Sequence, residues 1–495
     1  MKTCKCLLLA GVLAAGAMPA AGRAEEPFLR SPGNALEAVG AAFYEPDPDA
    51  PPSPTPEPAS AAPATLPDHA GMSAASDCAA GGCGDSGCGS AGCDEVACYG
   101  PAACGLTATD ACNRNACGGC NQQACRWCRC GKLEDAWKLP EPYALKCRGV
   151  DIFGWVQGGM YSNTFGAPEN GPLGLNANAD GFNLHQAWIA AEKTVDTGGY
   201  GFDWGGRIDY VYGVDGPDTQ AFGDESWDFG WDSSDRYGSA IPQIYVEVGV
   251  NEWKVKGGRF YTLIGYEVVP ATGNFFYSHS YDFYFAEPFT HTGVLASRSL
   301  GENLTGSMGW VGGWDGGFEN HNGASMFLGG VSWTPTEKAS IAWYCSAGNF
   351  GDGRFSGNDG DLYMNSIVFT YQLTEKWTYV LQHDLGANYN IPGSEDTEWY
   401  GIVQYLLYTI NDCWSFGGRI EWFRDDDGVR VLGDGEGRNF YEFTAGINWR
   451  PHSNVIIRPE LRYDWTSDPN PASQPFNGGT RTDQFSGGFD AIFTF

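Results

Sequence analysis

Positive charge is scarce in this 495-residue sequence: 29 Lys and Arg stand against 60 Asp and Glu, a formal net charge of −31. A chain this acidic repels a phosphate backbone, so nucleic acid is excluded as a partner. Histidine is sparse too, with seven copies scattered along the chain, and neither H-E-x-x-H nor G-x-S-x-G occurs. No catalytic constellation and no cofactor are therefore read, although sites built from distant strand ends stay open. Past residue 24 no apolar run reaches the roughly 18 residues that a membrane-crossing helix needs. Two kinds of chain satisfy that absence: one that stays in water, and one that crosses a bilayer as strands, whose hydropathy signal is weak per segment.

What is abundant is glycine, at 70 residues, and aromatic side chains, at 14%. Closely approaching, twisted strands favour that mixture, whereas helical cores favour Leu and Ala. The composition changes along the chain. Residues 1–24 read as a signal peptide, with Lys2 and Lys5, an apolar stretch from Leu7 to Ala17, and small residues Gly22 and Ala24 before a cut. Residues 25–77 include the acidic, Pro-rich run EPDPDAPPSPTPEP and predict a disordered spacer. Residues 78–150 hold thirteen cysteines, five of them (Cys78, Cys83, Cys88, Cys93 and Cys98) at every fifth position. Three readings of that segment stand side by side. Disulfides suit an exported chain with little core to bury. Paired spacing at Cys117, Cys120, Cys125 and Cys128 suits a tetrahedral metal site. An odd number of thiols also leaves one for bonds between chains.

Residues 151–495 break into segments of about ten residues that alternate between oily and polar positions. In the last, DQFSGGFDAIFTF, Phe485, Phe489, Phe493 and Phe495 share one face with Gly487 and Ala491, and Gln484, Ser486 and Asp490 share the other. Val455, Ile457, Leu461, Tyr463 and Trp465 likewise oppose Arg458, Glu460, Arg462 and Asp464. The segments 152–161 and 399–410 alternate poorly. About sixteen strands are predicted. Tight turns such as Asn251-Glu252, Thr374-Glu375 and Asn411-Asp412 take strict turns with long Gly- and Asp-rich connections. A closed up-and-down antiparallel β-barrel requires that order, and an even count brings both termini to the short-turn side. The fold class is thus all-β, a transmembrane barrel behind a disordered, Pro-rich and Cys-rich N-terminal region. Trp253, Trp333, Trp377, Trp414 and Trp449 beside short turns, and Trp204, Trp310, Trp343, Trp422 and Trp465 further along, fit two interfacial belts.

Three stretches add a resemblance: KGGRFYTLIGYEVV from Lys256, FYSHSYDFYFAEPFTHTGVL from Phe276, and the region from Gly309 to Trp333 containing WDGGFENHN and FLGGVSW. Together they resemble the OmpL-like β-barrel porin family of bacterial outer membranes, over essentially the whole of residues 151–495. The resemblance implies an outer-membrane barrel with porin activity, and a C-terminal strand ending in Phe493 and Phe495 that marks the chain for the barrel-assembly machinery. By likeness to general porins, the connection 262–290 is the one expected to fold inward, and a barrel of this size is expected to form a homotrimer.

About sixteen strands enclose room for a water-filled lumen. The expected function is passive diffusion of small hydrophilic solutes across an outer membrane, with the lipid around it and the N-terminal arm on the periplasmic side. Glu267, Asp282 and Glu287 would face Arg259, Arg298, Arg419, Arg458 and Arg462 across the narrowest section, setting up a transverse field. Satisfied surface charges on an external loop are the plainer alternative. Within the barrel 44 Asp and Glu stand against 18 Lys and Arg, so cations should be preferred. Two other functions fit the same chain: a structural envelope protein whose Cys-rich arm cross-links or anchors the membrane, and a soluble exported all-β glycan-binding protein.

Overall fold

The computed structural model describes residues 133, 135–140, 142–179, 181–221, 227–234, 236–319, 323–351, 360–391, 395–467 and 473–495. The signal peptide, the spacer and the Cys-rich segment up to Cys130, with Cys117, Cys120, Cys125 and Cys128, lie outside these residues.

Strands dominate what is described. In chain order they are β1 (Asp151–Asn163), β2 (Asn183–Lys193), β3 (Phe202–Gly213), β4 (Gly238–Ala240), β5 (Ile244–Val250), β6 (Trp253–Tyr261), β7 (Thr290–Gly301), β8 (Leu304–Val311) and β9 (Ser325–Thr336). They continue with β10 (Ala339–Asn349), β11 (Asp361–Gln372), β12 (Trp377–Tyr389), β13 (Thr397–Asn411), β14 (Trp414–Asp425), β15 (Arg438–His452), β16 (Val455–Thr466) and β17 (Asp483–Thr494). Each pairs antiparallel with its neighbours, and β1 pairs with β17 to close the sheet, with Trp155 opposite Thr494 and Asn163 opposite Ser486. The short β4 and β5 both pair with β3 and make one stave, interrupted at 241–243. Pro242 in that gap has no N–H for the ladder, and proline enters sheets at such interruptions. The barrel has sixteen staves.

The predicted order of connections holds. Turns of two to eight residues (194–201, 251–252, 302–303, 337–338, 373–376, 412–413 and 453–454) share one end. The longer connections, including 164–182, 262–289 and 426–437, share the other. At the short-turn end the segment before β1 is pinned to the wall. Asn454 accepts the Trp137 N–H at 2.7 Å and donates to the Trp137 and Thr494 carbonyls, each at 2.7 Å. Phe493 packs 6.3 Å from the Trp137 ring, and the Phe495 main chain exchanges hydrogen bonds with Gly154 at 2.9 and 3.0 Å.

Polarity is inverted relative to a protein in water. Val246, Trp310, Met308, Ile420, Phe443 and Leu461 are exposed on the outside, while Arg419, Arg462, Glu442, Asp464 and Asp490 are buried inside. Bare apolar area on so many adjacent strands is stable only against lipid. No described helix is long and apolar enough to cross a membrane, so crossing falls to the strands.

Candidate functional site: a loop across the lumen

The connection 262–289 turns into the barrel, and the wall supplies its backbone with the partners a sheet would otherwise provide. Glu421 on β14 accepts the N–H groups of Tyr281 and Asp282 at 2.7 and 2.6 Å. Glu460 on β16 accepts those of Tyr277 and Ser278 at 2.7 and 3.1 Å. Arg458 donates to the carbonyls of Ala271 and Asn274 at 2.9 and 2.7 Å, Arg419 to that of Ser278 at 2.9 Å, and Arg462 to that of His279. From β2, Gln186 donates to Val269 O at 2.6 Å and accepts from Ala271 N at 3.0 Å. Buried main-chain groups left unpaired are costly, so these contacts fix the loop's path.

Side chains continue the same seam. Arg419 bridges Glu267 of the loop at 2.5 Å and Glu442 of β15 at 2.6 Å. Arg462 pairs with Asp464 at 2.7 Å and Arg458 with Asp490 at 2.5 Å. The Tyr281 hydroxyl donates to Asp464 at 2.9 Å, and Tyr277 meets His185 of β2 at 2.5 Å. Burial pushes the Glu267 carboxyl up, but Arg419, His279 and the hydrogen bonds from Ser280 outweigh it and hold the group below its ordinary value. Burial lowers His279 to about 4, so it is neutral at neutral pH.

The other flank of the loop meets hydrocarbon. Tyr266, Phe275 and Phe276 pack on Val368, Val380, Val403, Tyr405 and Leu407. Tyr281 and Phe285 join a cluster with Met326, Leu328, Leu362, Met364 and Trp399, and the Trp399 indole donates to Ala286 O at 3.1 Å. Polar residues therefore do not line every stave with water at this level. From β11 to β13 the inner wall presents an apolar floor to these rings, with the polar Gln382 and Asp384 of β12 further along it.

A third group is acidic. Asp282 has both carboxyl oxygens buried without a hydrogen-bond partner. Gln382 donates to Glu287 at 2.6 Å and to Asp384 at 2.8 Å. Burial, then Asp384 and Glu421, raises the Asp282 carboxyl well above its ordinary value, and burial with Asp384 does the same to Glu287. Asp282 comes so close to β13 that a Cβ at position 401 would stand 2.0 Å from its Oδ1, which is why Gly401 sits there.

Of the eight charged residues the sequence singled out, Glu267, Arg419, Arg458 and Arg462 meet in one seam, as direct pairs on one side and not as opposed rows across a gap. Asp282 and Glu287 face other carboxyl groups and no arginine. Arg259 stands apart, holding Asp228 at 3.0 Å and the carbonyls of Thr219 and Ile241 at 2.9 and 3.2 Å. Arg298 does not belong in the lumen. Its position on β7 is one step out of phase with the inward Leu295 and Ser297, so it points outside at the short-turn end, beside Glu252 at 2.7 Å and over Trp253. Sequence reading passed over Glu421, Glu442, Glu460, Asp464 and Asp490. Glu421, Glu460 and Asp464 carried a signal, standing two residues from Arg419, Arg458 or Arg462 on their own strands, whereas Glu442 and Asp490 reach those arginines only from neighbouring strands.

A barrel with an oily outside and a loop bound across its inside is the setting in which the comparisons count. The family described as "Putative beta-barrel porin-2, OmpL-like" matches residues 149–495. The chain belongs to this OmpL-like porin family. No curated protein matches it. Among solved structures, the anion-selective porin from Comamonas acidovorans is similar at 12% identity, covering 70% of this chain and 99% of that one, with a TM-score of 0.48. The outer membrane channel DcaP of Acinetobacter baumannii is similar at 10% identity over 73% and 99%, also at 0.48. OmpF of Salmonella typhi, in complex with daunomycin, is similar at 13% identity over 70% and 97%, again at 0.48. These three likenesses are remote. The family places this OmpL-like porin among outer-membrane barrels.

Proposed function

We propose that this OmpL-like porin is a passive channel for small hydrophilic solutes, with the loop 262–289 as its narrowest section. The observation that carries the reading is the loop's position: it is bound to the wall by Glu421, Glu460, Arg419, Arg458 and Arg462, so anything passing through the barrel must pass the loop. Sixteen staves enclose more space than side chains alone fill, and the loop takes up the middle of it. Unitary conductance is accordingly small for a barrel of this size.

Cations are preferred over anions, because carboxylates outnumber basic groups 44 to 18 in residues 151–495 and a negative mouth concentrates cations. Reversal potentials across a planar bilayer under a salt gradient test this, and an anion-side reversal rejects it. The working unit is a homotrimer in the outer membrane, inserted by the barrel-assembly machinery, with the N-terminal arm on the periplasmic side behind a cleaved signal peptide.

The arm has a structural part in the same reading. Cys413, in the turn between β13 and β14, is in a disulfide, while Cys147 and Cys345 are thiols. Arg450 N donates to Cys413 O at 2.8 Å, one stave from the Asn454 site that holds Trp137. A bond from Cys413 to a cysteine of the arm would tether the arm at the short-turn mouth. Peptide mapping without reductant tests it: a peptide joining Cys413 to a cysteine below residue 133 supports the tether, and a Cys413 thiol in oxidised protein rejects it.

A further inference from the structure

On the outer wall, where β2, β3 and β5 reach the short-turn end, the surface dips into a groove of about 540 Å³. Its floor is Ala191, Gly205, Gly206 and Val246, with Trp204 standing at the side and Arg148, Val150 and Lys193 closing the rim. We propose that this groove binds one phospholipid, with the phosphate at Arg148 and Lys193 and the upper acyl carbons along Ala191, Gly206 and Val246.

Three observations point the same way. Val246 is 59% exposed and Trp204 58%, and both project from the lipid-facing side of their strands, so the groove opens toward the membrane. Gly206, in phase with the outward Trp204 and Ile208, makes the depression: Lys193 lies opposite it in the ladder, and with no side chain there an acyl chain can approach the backbone. The charge is also placed correctly. In a chain with a net charge of −31, two cations line one apolar groove, and Lys193 closes β2 at the short-turn end, where a headgroup sits. Lys193 shares its charge with Asp203 at 2.8 Å and lies 5.6 Å from the Trp204 ring centroid. Arg148 is exposed, and among the described residues its guanidinium bonds only the Ala144 carbonyl, at 3.1 Å. Arg148 therefore supplies the uncommitted charge and Lys193 a second donor beside it. A guanidinium suits a phosphodiester because it offers paired N–H donors.

The inference rests on the barrel's place in a membrane and not on its conducting solutes, so a failed conductance experiment leaves it intact. Full-length protein in a phosphate-free detergent is given dioleoyl-phosphatidylglycerol and examined by native mass spectrometry, with dioleoyl-phosphatidylcholine as the comparison lipid. One tightly retained phosphatidylglycerol per chain is expected, with the retained fraction at least fivefold lower in Arg148→Glu. Val246→Trp, which fills the floor without touching the charge, lowers retention of both lipids. Arg148 lies before β1, outside the sheet, so its variant keeps the barrel, and unchanged heat-modifiable migration on a gel verifies this. Equal retention by wild type, Arg148→Glu and Val246→Trp overturns the proposal, as does a chain that carries detergent alone when phosphatidylglycerol is present.

Discussion

Two parts of the inner wall hold the same loop by opposite means. On β14, β15 and β16, arginines and carboxylates reach the loop as buried ion pairs and as caps on its backbone. On β11, β12 and β13, Val368, Val380, Val403, Tyr405 and Leu407 press against its rings. The difference lies in what a lost partner leaves behind. An apolar contact that goes leaves a cavity, whereas a buried charge that loses its partner stays behind uncompensated. The charged side is therefore the brittle one, and the apolar side the forgiving one.

Breaking the charged side should have the largest effect. Arg419→Ala takes from Glu267 its arginine and leaves Glu442 only Arg462 at 3.7 Å, and should cost about 3–5 kcal/mol, read from the urea midpoint of the heat-modifiable band. Leu407→Ala on the apolar side should cost less, about 2–4 kcal/mol by the same readout, as for a partly relaxing cavity. If Leu407→Ala costs more than Arg419→Ala, the contrast between the two sides fails.

pH sharpens the comparison. His279 has its folded value lowered to about 4 from 6.5, and Glu267 is also depressed. For both, the stabilisation is present above the ordinary value and lost as pH falls through the folded one. Asp282 and Glu287 are raised, so their contribution is whole at low pH and lost as pH rises through the raised values. The His279 contribution to loop anchoring should therefore weaken between pH 6.5 and 4, while those of Asp282 and Glu287 grow over the same fall. His279→Gln should flatten that limb of a conductance-against-pH curve, and an unchanged limb would remove His279 from the account. Asp282→Asn should be tolerated at neutral pH and should gain on wild type as pH rises, measured by thermal midpoint. The smallest effect belongs to Arg298→Ala: an exposed pair with Glu252 contributes less than about 1 kcal/mol, so its urea midpoint should hardly move.

The same contrast explains what could be read in advance. β16 announced itself because Arg458, Glu460, Arg462 and Asp464 alternate with Val455, Ile457, Leu461, Tyr463 and Trp465, one face for lipid and one for charge. β13 alternated poorly in sequence because both of its faces are apolar: Tyr400, Ile402 and Leu406 look outward, and Trp399, Val403, Tyr405 and Leu407 look inward onto the loop. Period-two patterning assumes that one face meets water, and here neither does. All sixteen staves and the turn order were still legible, since turn residues do not depend on what fills the lumen. The site was legible only in part. Arginine residue type pointed to Arg419, Arg458 and Arg462, but only the register of β7 could show that Arg298 faces out. The loop's acidic partners on the wall come from strands more than a hundred residues away in sequence, beyond any local pattern.

The central claim is that the loop, pinned by the charged side of the wall, sets the passage through the barrel. Single-channel conductance in planar bilayers tests it most directly, comparing wild type with a variant lacking residues 268–286. The account predicts small steps for wild type and steps several-fold larger without the loop. Equal steps from a deletion variant that still inserts and migrates as a folded barrel would contradict it.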